Sequence, residues 1–339
     1  MRIVIPGGRG QVGTVLARHF HAKGHEVIVL SRRRYASPWK VVLWDGETLG
    51  PWTRTLEGSD VCINLTGRSV DSRYTRKNRR AIRDSRILPT RLLQEAMELL
   101  TNPPRVWLNA STATIYRHAL DRPMDELTGE LGGELGGNEP GAPETWKFSA
   151  QVAKDWEAEF FRSPLPATRK IALRSAITFN ADPGSVFDVL SRLVRRSLGG
   201  AQGSGEQFVS WVHEADFVRA VEWLIAKESF HGVVNLASPN PLRNREFMRA
   251  LRQAWGVRLG LSAPAWVIGV ASFFMRTESE LVLKSRRVVP GLLVESGFEF
   301  LFPEWPAAAR DLVERSGVLA ALREESPLSS RNEVKGSAV

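Results

Sequence analysis

The chain has 339 residues, of which 43% are hydrophobic, with 46 Lys and Arg against 37 Asp and Glu. This length and hydrophobicity supply apolar surface for about two domains and exclude a wholly disordered or collagen-like protein. The single cysteine, Cys62, excludes internal disulfides and a multi-cysteine zinc site. The net charge of +9 indicates an anionic partner, either a phosphorylated small molecule or a nucleic acid.

In the N-terminal half, short apolar runs alternate with amphipathic segments, which is typical of βαβ units with a parallel sheet. The predicted strands are Arg2–Ile5, Glu26–Leu30, Val41–Trp44, Val61–Leu65, Arg105–Ala110, Lys170–Phe179 and Val233–Ala237. The predicted helices include Gln11–Lys23, Arg76–Leu100 and Ala150–Phe161. Right-handed crossovers then predict an α/β fold with a doubly wound (Rossmann) parallel sheet, which binds ligands at the carboxyl ends of its strands.

The chain divides into three predicted parts. A predicted Rossmann domain spans residues 1–240, with part of 180–215 contributing to the substrate side. Residues 241–323 form a smaller, mostly helical C-terminal substrate or cap domain, and residues 324–339 form a flexible tail. The Gly-Glu-Leu-Gly repeat in Gly129–Pro143 predicts a mobile loop. The most apolar stretch, Leu261–Met275, is too short to span a bilayer, so we expect a cytoplasmic protein without membrane attachment.

A glycine-rich turn follows the first predicted strand and opens the first predicted helix. It has the spacing G-x-G-x-x-G, preceded by one further glycine, and consists of Gly7, Gly8, Arg9, Gly10, Gln11, Val12 and Gly13. Glycines at such a turn allow the backbone to approach a pyrophosphate, whose charge meets the N-terminus of the helix. The turn therefore predicts a dinucleotide site, with a purely structural turn as the alternative.

The residues after the second predicted strand indicate which dinucleotide is bound. An NAD-preferring site usually has a carboxylate there for the ribose 2′-hydroxyl. Ser31, Arg32 and Arg33 occupy this place instead, and a guanidinium can bind a 2′-phosphate through two hydrogen bonds. NADP(H) is therefore the predicted cofactor, with solvated surface arginines as the alternative. Asp45, after the third strand, is predicted either to accept a hydrogen bond from the adenine or to form a turn with Gly46.

The order of the motifs resembles the short-chain dehydrogenase/reductase superfamily, in its atypical extended, sugar-nucleotide-epimerase-like branch with a small C-terminal domain of unknown function. The resemblance extends from Ile3 to about Val313. It rests on the segments IPGGRGQVG, INLTGRSV, IRDSRILPTRLL, LNASTATIY, GSGEQFVSWVHEADFVRAV and VNLASPNPLRNREFMRAL. It implies a cofactor-binding turn after the fourth strand that is formed by Leu65, Thr66, Gly67 and Arg68.

The resemblance also implies a catalytic set, from which this sequence departs. Members of the superfamily hold the substrate oxygen with a Ser or Thr and transfer the proton with a Tyr-x-x-x-Lys pair. Thr112 and Ser111 match the hydroxyl position, Thr112 in the closer register, whereas Phe148 and Val152 occupy the Tyr and Lys positions. Phe and Val cannot transfer a proton. Tyr116 is one candidate for a replacement acid, with a structural role as its alternative.

The predicted function is NADP(H)-dependent oxidoreductase or epimerase-like chemistry on a small carbonyl, hydroxyl or nucleotide-linked substrate. The alternative is a non-catalytic NADPH-binding regulatory or interaction protein, which the missing Tyr-x-x-x-Lys pair favours. The enzyme interpretation is the preferred one.

Other chemistries and partners have weaker signals. His213 is predicted to cap a helix rather than to bind a ligand, and the histidines show no metal-ligand spacing, so no metal is predicted. The cations of Arg68–Arg91 are interleaved with apolar residues as on a solvated helix, and stacking aromatic residues are scarce, so nucleic acid is not a predicted partner. The predicted partner is a small-molecule substrate, and a homodimer is an open alternative for the assembly state.

Overall fold

The computed structural model describes residues 1–133, 142–269 and 278–324. Its strands are β1 (Arg2–Pro6), β2 (Glu26–Ser31), β3 (Lys40–Leu43), β4 (Val61–Asn64), β5 (Val106–Thr112), β6 (Arg169–Ser175), β7 (Ile177–Phe179), β8 (Phe208–Val209), β9 (Trp211–His213), β10 (Gly232–Leu236) and β11 (Leu242–Arg243). Its helices are α1 (Gln11–Ala22), α2 (Arg76–Glu98), α3 (Glu144–Phe161), α4 (Val186–Arg195), α5 (Glu214–Ala226), α6 (Asn244–Ala254), α7 (Glu280–Leu283), α8 (Gly291–Glu295) and α9 (Trp305–Glu324).

The central sheet confirms the predicted doubly wound fold. Its seven strands lie in the order β10-β6-β5-β4-β1-β2-β3, and all of them pair in parallel. The chain order reverses between β1 and β4, whose register places Ile3 beside Val61. A crevice opens at the carboxyl ends of the strands at such a reversal. This topology places the glycine turn after β1 next to the turn after β4.

The strands of the sheet centre are apolar along their length because both faces of the sheet are covered. Val4 and Ile5 of β1 are fully buried and belong to two different core clusters. Ile5 packs on the side that contains Phe20 of α1, whereas Val4 packs on the side that contains Leu93 of α2. Continuous apolar strands of this kind are typical of parallel sheets buried on both faces.

The predicted strand Lys170–Phe179 is divided in two. β6 pairs with β5 and β10 in the central sheet, whereas β7 pairs with β9, with Phe179 beside His213. The backbone N–H of Ala176, between the two strands, still donates to the carbonyl of Leu236 at 2.9 Å. The chain therefore leaves the central sheet after this residue and starts a second, two-stranded sheet.

The C-terminal part packs into an apolar core that it shares with Phe179 and Trp211. The rings of Phe247 on α6 and Trp305 on α9 stack with centroids 4.1 Å apart. β8 and β11 pair with each other although they lie on opposite sides of residue 240 in the chain. The predicted domain boundary at this residue therefore stays a prediction. Most of the predicted mobile loop and nearly all of the predicted tail lie outside the described residues, as does the end of the apolar stretch. Among the helices in the described ranges, none is long and apolar enough to cross a membrane.

Candidate cofactor and active site

Two glycines of the turn after β1 are required by the packing of the protein itself. Gly7 has a φ of +75°, and a Cβ atom there would lie 2.8 Å from the backbone of Leu65. A Cβ atom on Gly13 would lie 2.5 Å from the Cα atom of Gly8. These contacts press the turn against the one after β4 and hold α1 close to β1.

Gly10 is different, because nothing in the described part of the chain would clash with a side chain at this position. It has a φ of −65° and a ψ of 168°, which any residue can adopt, and a Cβ atom would lie 3.6 Å from its nearest neighbour, the carbonyl oxygen of Gly7. Among the residues within the described ranges, none caps the N-terminus of α1 with its side chain, and the first turn of the helix has no acidic residue. An open surface beside an uncapped helix N-terminus fits a pyrophosphate.

The other residues of the turn are placed around this surface. Gln11 donates its amide to the carbonyl oxygen of Gly184 at 2.6 Å, which connects the turn to the segment before α4. The guanidinium carbon of Arg9 lies 5.5 Å from the centroid of the Tyr35 ring. Val12 is partly buried and packs against the apolar core, so its side chain faces away from the cleft.

The end of β2 presents the predicted selectivity residues. Ser31 is buried, and its hydroxyl oxygen accepts a hydrogen bond from the backbone N–H of Arg33 at 3.3 Å. The side chains of Arg32 and Arg33 are exposed. Within the described ranges, neither forms an ion pair. Their guanidinium groups are accessible to an anion at the carboxyl edge of the sheet.

Asp45 forms the turn that was one of its two alternatives. One carboxylate oxygen accepts hydrogen bonds from the backbone N–H groups of Glu47 and Thr48, both at 2.9 Å, and the other accepts one from the Thr48 hydroxyl at 2.5 Å. These bonds lower the pKa of Asp45 to about 2, and Gly46 has a φ of +77°. Contact of Asp45 with the adenine stays a prediction.

The turn after β4 is held by buried amides. The Thr66 hydroxyl donates to the side-chain oxygen of Asn64 at 2.7 Å, and the Asn64 amide donates to Asn109 at 2.6 Å. The backbone N–H of Leu65 donates to the carbonyl of Pro6 on β1 at 2.9 Å. The N–H of Arg68 donates to Ser85 of α2 at 2.9 Å. This network positions the Thr66–Arg68 backbone beside the glycine turn.

A cavity of about 380 Å³ lies at the carboxyl ends of β4 and β5. Its walls include residues of the β4 turn, both residues of the predicted hydroxyl position and both residues that replace the Tyr-x-x-x-Lys pair, namely Leu65, Thr66, Gly67, Arg68, Ser111, Thr112, Phe148 and Val152. Glu280 and Arg286, from the C-terminal part, line it as well. The structure therefore brings the candidate cofactor turn and the candidate catalytic positions to one cavity.

The two predicted hydroxyls differ in their surroundings. Ser111 is buried and donates its hydroxyl to Glu157 at 2.6 Å. Thr112 is partly exposed, and its hydroxyl oxygen accepts from the backbone N–H of Thr114 at 3.2 Å. As the acceptor of that bond, Thr112 retains its own O–H for donation. Thr112 is therefore the better placed of the two to hold a substrate oxygen.

Tyr116 is buried in a different environment from the cavity. The side chain is 1% exposed, its hydroxyl donates to Asn235 at 3.0 Å, and it accepts from Arg174 at 3.0 Å. Burial raises the pKa of this hydroxyl. An acid role for Tyr116 stays a prediction, and this geometry favours the structural alternative. His213 caps α5 as predicted, since its Nδ1 accepts from the N–H of Ala215 at 3.1 Å.

Several polar residues of the cavity were not predicted from the sequence. Tyr74, Ser149, Glu280 and Arg286 all line it. Ser149 directly follows Phe148 on α3. Its position next to one residue of the missing pair could have predicted that it lies near the cavity. Glu280 and Arg286 reach the cavity from the C-terminal part, and no local pattern connects them with it.

The parallel sheet, the glycine turn and the cavity define a nucleotide-binding protein of the extended short-chain dehydrogenase/reductase class. Residues 3–136 match the NAD dependent epimerase/dehydratase family, and residues 263–312 match a domain of unknown function, DUF1731. The N-terminal part of the chain therefore matches the epimerase family, and its C-terminal part matches DUF1731. The resemblance predicted from its motifs is thereby confirmed.

Known relatives match nearly the whole chain. The human epimerase family protein SDR39U1 is 29% identical over 316 residues, which cover 92% of this chain and 100% of that protein. YfhF of Bacillus subtilis is 26% identical over 320 residues, which cover 92% and 98%. A crystal structure of human SDR39U1 (isoform 2) with NADPH has a TM-score of 0.80 at 27% identity and covers 93% of this chain and 99% of that one. A nucleoside-diphosphate sugar epimerase from Corynebacterium glutamicum shares the fold, with a TM-score of 0.68 at 24% identity, covering 98% and 68%.

Proposed function

We propose that this chain binds NADPH across the carboxyl edge of its sheet. The observation that carries this proposal is the open surface at Gly10, beside the uncapped N-terminus of α1. The exposed guanidinium groups of Arg32 and Arg33, at the end of β2, supply the charge that a 2′-phosphate requires. The NADPH in the crystal structure of human SDR39U1 supports the same cofactor.

We further propose that the protein is an oxidoreductase, in the wider class that includes epimerase-like chemistry, for a small carbonyl or hydroxyl substrate. NADPH supplies the hydride in such a reaction. The residues of this chain bind the substrate beside it, and Thr112 donates a hydrogen bond to the substrate oxygen. A cavity of about 380 Å³ lies within the range of small-molecule sites, and its apolar wall at Phe148 and Val152 excludes water from the reacting atoms.

A non-catalytic NADPH-binding protein is the second candidate. The observation in its favour is that apolar side chains fill the places of the proton-transferring pair. Val152 is buried, and the Phe148 ring packs edge-on against Tyr74 with centroids 5.0 Å apart. A screen of small aldehydes and ketones with NADPH distinguishes the two candidates. Tight NADPH binding without turnover of any compound, unchanged in Thr112→Ala, would favour the non-catalytic protein.

The double variant Arg32→Ala/Arg33→Ala is expected to raise the Kd of NADPH about 10- to 100-fold and to leave that of NADH nearly unchanged. A charge-assisted hydrogen bond contributes about 1.5–3 kcal/mol, and each 1.4 kcal/mol is roughly tenfold in affinity. Titration of the fluorescence of each nucleotide measures both constants. Arg34→Ala, at the adjacent exposed arginine, is the matched control. A wild-type protein that prefers NADH would contradict the selectivity argument.

A further inference from the structure

Glu280, in the wall of the cavity, uses only one of its two carboxyl oxygens in hydrogen bonds to the described residues. The residue is 1% exposed and lines the cavity wall. Its Oε2 accepts a hydrogen bond from the Ser149 hydroxyl at 2.6 Å, whereas its Oε1 is buried and has no hydrogen-bond partner among the residues that the structure describes. A buried polar atom without a partner is costly. A ligand in this cavity would lie beside the wall that contains this oxygen.

Glu280 is the end of a polar chain that connects three parts of the protein. The Tyr74 hydroxyl, from the segment before α2, lies 3.2 Å from the Ser149 hydroxyl on α3. Arg286 lies on the other side, with its Nη2 3.8 Å from Oε1 of Glu280, which is too long for a hydrogen bond. Arg286 Nε donates instead to the hydroxyl of Thr114 at 3.1 Å. Glu280 is thus oriented by Ser149 in the wall of the cavity, and its other oxygen lies on the side of Arg286.

Burial raises the pKa of both Tyr74 and Glu280, but it has opposite consequences for their ability to donate a proton at neutral pH. It raises the pKa of Tyr74 from an ordinary value of 10.0, which makes the phenol a poorer proton donor at neutral pH. It raises the pKa of Glu280 from an ordinary value of 4.5, which brings the carboxyl group closer to neutral pH, where a general acid is effective. Arg286 and Lys284 oppose this rise, whereas Glu278 adds to it. Of the two, Glu280 is the more suitable proton donor.

We propose that Oε1 of Glu280, supplied by the C-terminal part of the chain, is the proton-donating group of the cavity, in the role that Phe148 and Val152 cannot fill. Ser149 and Tyr74 are positioning residues for it. This inference rests on the proposed oxidoreductase function and specifies how that function proceeds without a Tyr-x-x-x-Lys pair.

The proposed reaction is the reduction of a carbonyl group to an alcohol. The carbonyl carbon gains a hydride, with two electrons, from NADPH, which is oxidised to NADP⁺. The carbonyl oxygen takes the proton of Glu280, whose O–H bond breaks to leave a carboxylate, and the product is an alcohol. Arg286 stabilises the carboxylate, which takes a proton from water before the next turnover. In the oxidative direction, the carboxylate accepts the hydroxyl proton.

The substitution Glu280→Gln tests this role because it keeps the shape and removes the transferable proton. With NADPH and 4-nitrobenzaldehyde, or the aldehyde or ketone that the screen finds most reactive, we expect kcat to fall about 10²- to 10⁴-fold. The Kd of NADPH is expected to stay within about twofold. Glu278→Gln is the matched control, because it makes the same chemical change two residues away and keeps an acceptor for the N–H of Tyr74, 2.6 Å from Glu278.

A second measurement observes the proton without turnover. Infrared difference spectra of the NADPH-bound protein are expected to contain the carbonyl band of a protonated carboxyl group at pH values above the ordinary range of a glutamate, because burial raises the pKa of Glu280. The band should disappear at alkaline pH and be absent from Glu280→Gln. The hydrogen bond from Ser149 stabilises the carboxylate form of Glu280 and lowers its pKa. Ser149→Ala removes this bond, so it is expected to move the transition, and the alkaline fall of kcat, to higher pH. Ser149→Thr should restore both.

The outcomes separate this inference from the proposed function. A Glu280→Gln protein that retains wild-type kcat, or a wild-type spectrum without the Glu280 band, would overturn the role of Glu280 and leave the oxidoreductase proposal standing. A wild-type protein that binds NADPH but reduces none of the aldehydes and ketones would overturn the oxidoreductase proposal, and the donor role of Glu280 with it.

Discussion

Arg174→Met is expected to lower the free energy of unfolding by about 3–5 kcal/mol, as measured by urea denaturation, because it leaves a buried carboxylate without its cation. The Arg174 side chain on β6 is 8% exposed. Its Nε and Nη2 donate to the two oxygens of Glu157 on α3 at 2.9 and 2.7 Å. Its Nη1 donates to the Tyr116 hydroxyl. Replacement by an apolar side chain keeps the volume and removes all three bonds.

Two controls show whether burial of the charge is the cause. Arg80→Met breaks an ion pair with Asp84 in which the arginine is 85% exposed, and it should cost less than about 1 kcal/mol. The double variant Arg174→Met/Glu157→Leu removes both charges, so it should recover part of the stability lost in the single variant. A loss below about 1 kcal/mol in Arg174→Met would show that the pair does not act as a buried charge pair.

The same network bears on the role of Tyr116. Since its hydroxyl bonds to Asn235 and Arg174, we expect Tyr116→Phe to reduce stability by about 1 kcal/mol. A structural role also predicts unchanged kcat in any reaction that the carbonyl screen identifies. A large loss of kcat at unchanged stability would instead support the acid role.

Gly10→Glu is expected to weaken NADPH binding by roughly 100-fold or more while the protein remains folded. The new carboxylate would occupy the surface on which the pyrophosphate is proposed to lie, where it would repel the phosphates and displace about two charge-assisted hydrogen bonds. The backbone conformation of Gly10 suits any residue, and an acidic side chain is favourable at a helix N-terminus. Fluorescence titration with NADPH measures the loss, and urea denaturation should show a free energy of unfolding no lower than in the wild type.

The glycine three positions further on provides the contrasting control. Gly13→Ala would place a Cβ atom 2.5 Å from Gly8, so it should reduce stability through a clash within the protein. Unchanged NADPH affinity in Gly10→Glu would place the cofactor elsewhere. A Gly10→Glu protein that loses stability as Gly13→Ala does would show that Gly10, too, is required by packing.

The sequence by itself determined the fold and the place of the cleft, because these depend on local patterns. Apolar strands alternating with amphipathic helices predict a parallel sheet, and a glycine turn between β1 and α1 marks its carboxyl edge. The absence of the Tyr-x-x-x-Lys pair was equally visible, since Phe148 and Val152 lie one helical turn apart on α3. The end of the sixth predicted strand was wrong. The chain leaves the central sheet after Ala176, because Ile177–Phe179 pairs with Trp211–His213, which lies more than 30 residues further along the chain.

Only the tertiary structure decided which side chains share the cavity. Glu280 meets Ser149 across 131 residues of chain, and such a contact has no periodicity that a sequence could reveal. The burial of Tyr116 is likewise a property of its neighbours Arg174 and Asn235, not of its own segment. Local patterns specify elements and turns, whereas the proton-donating role proposed for Glu280 depends on burial and on hydrogen bonds between residues that are far apart in the chain.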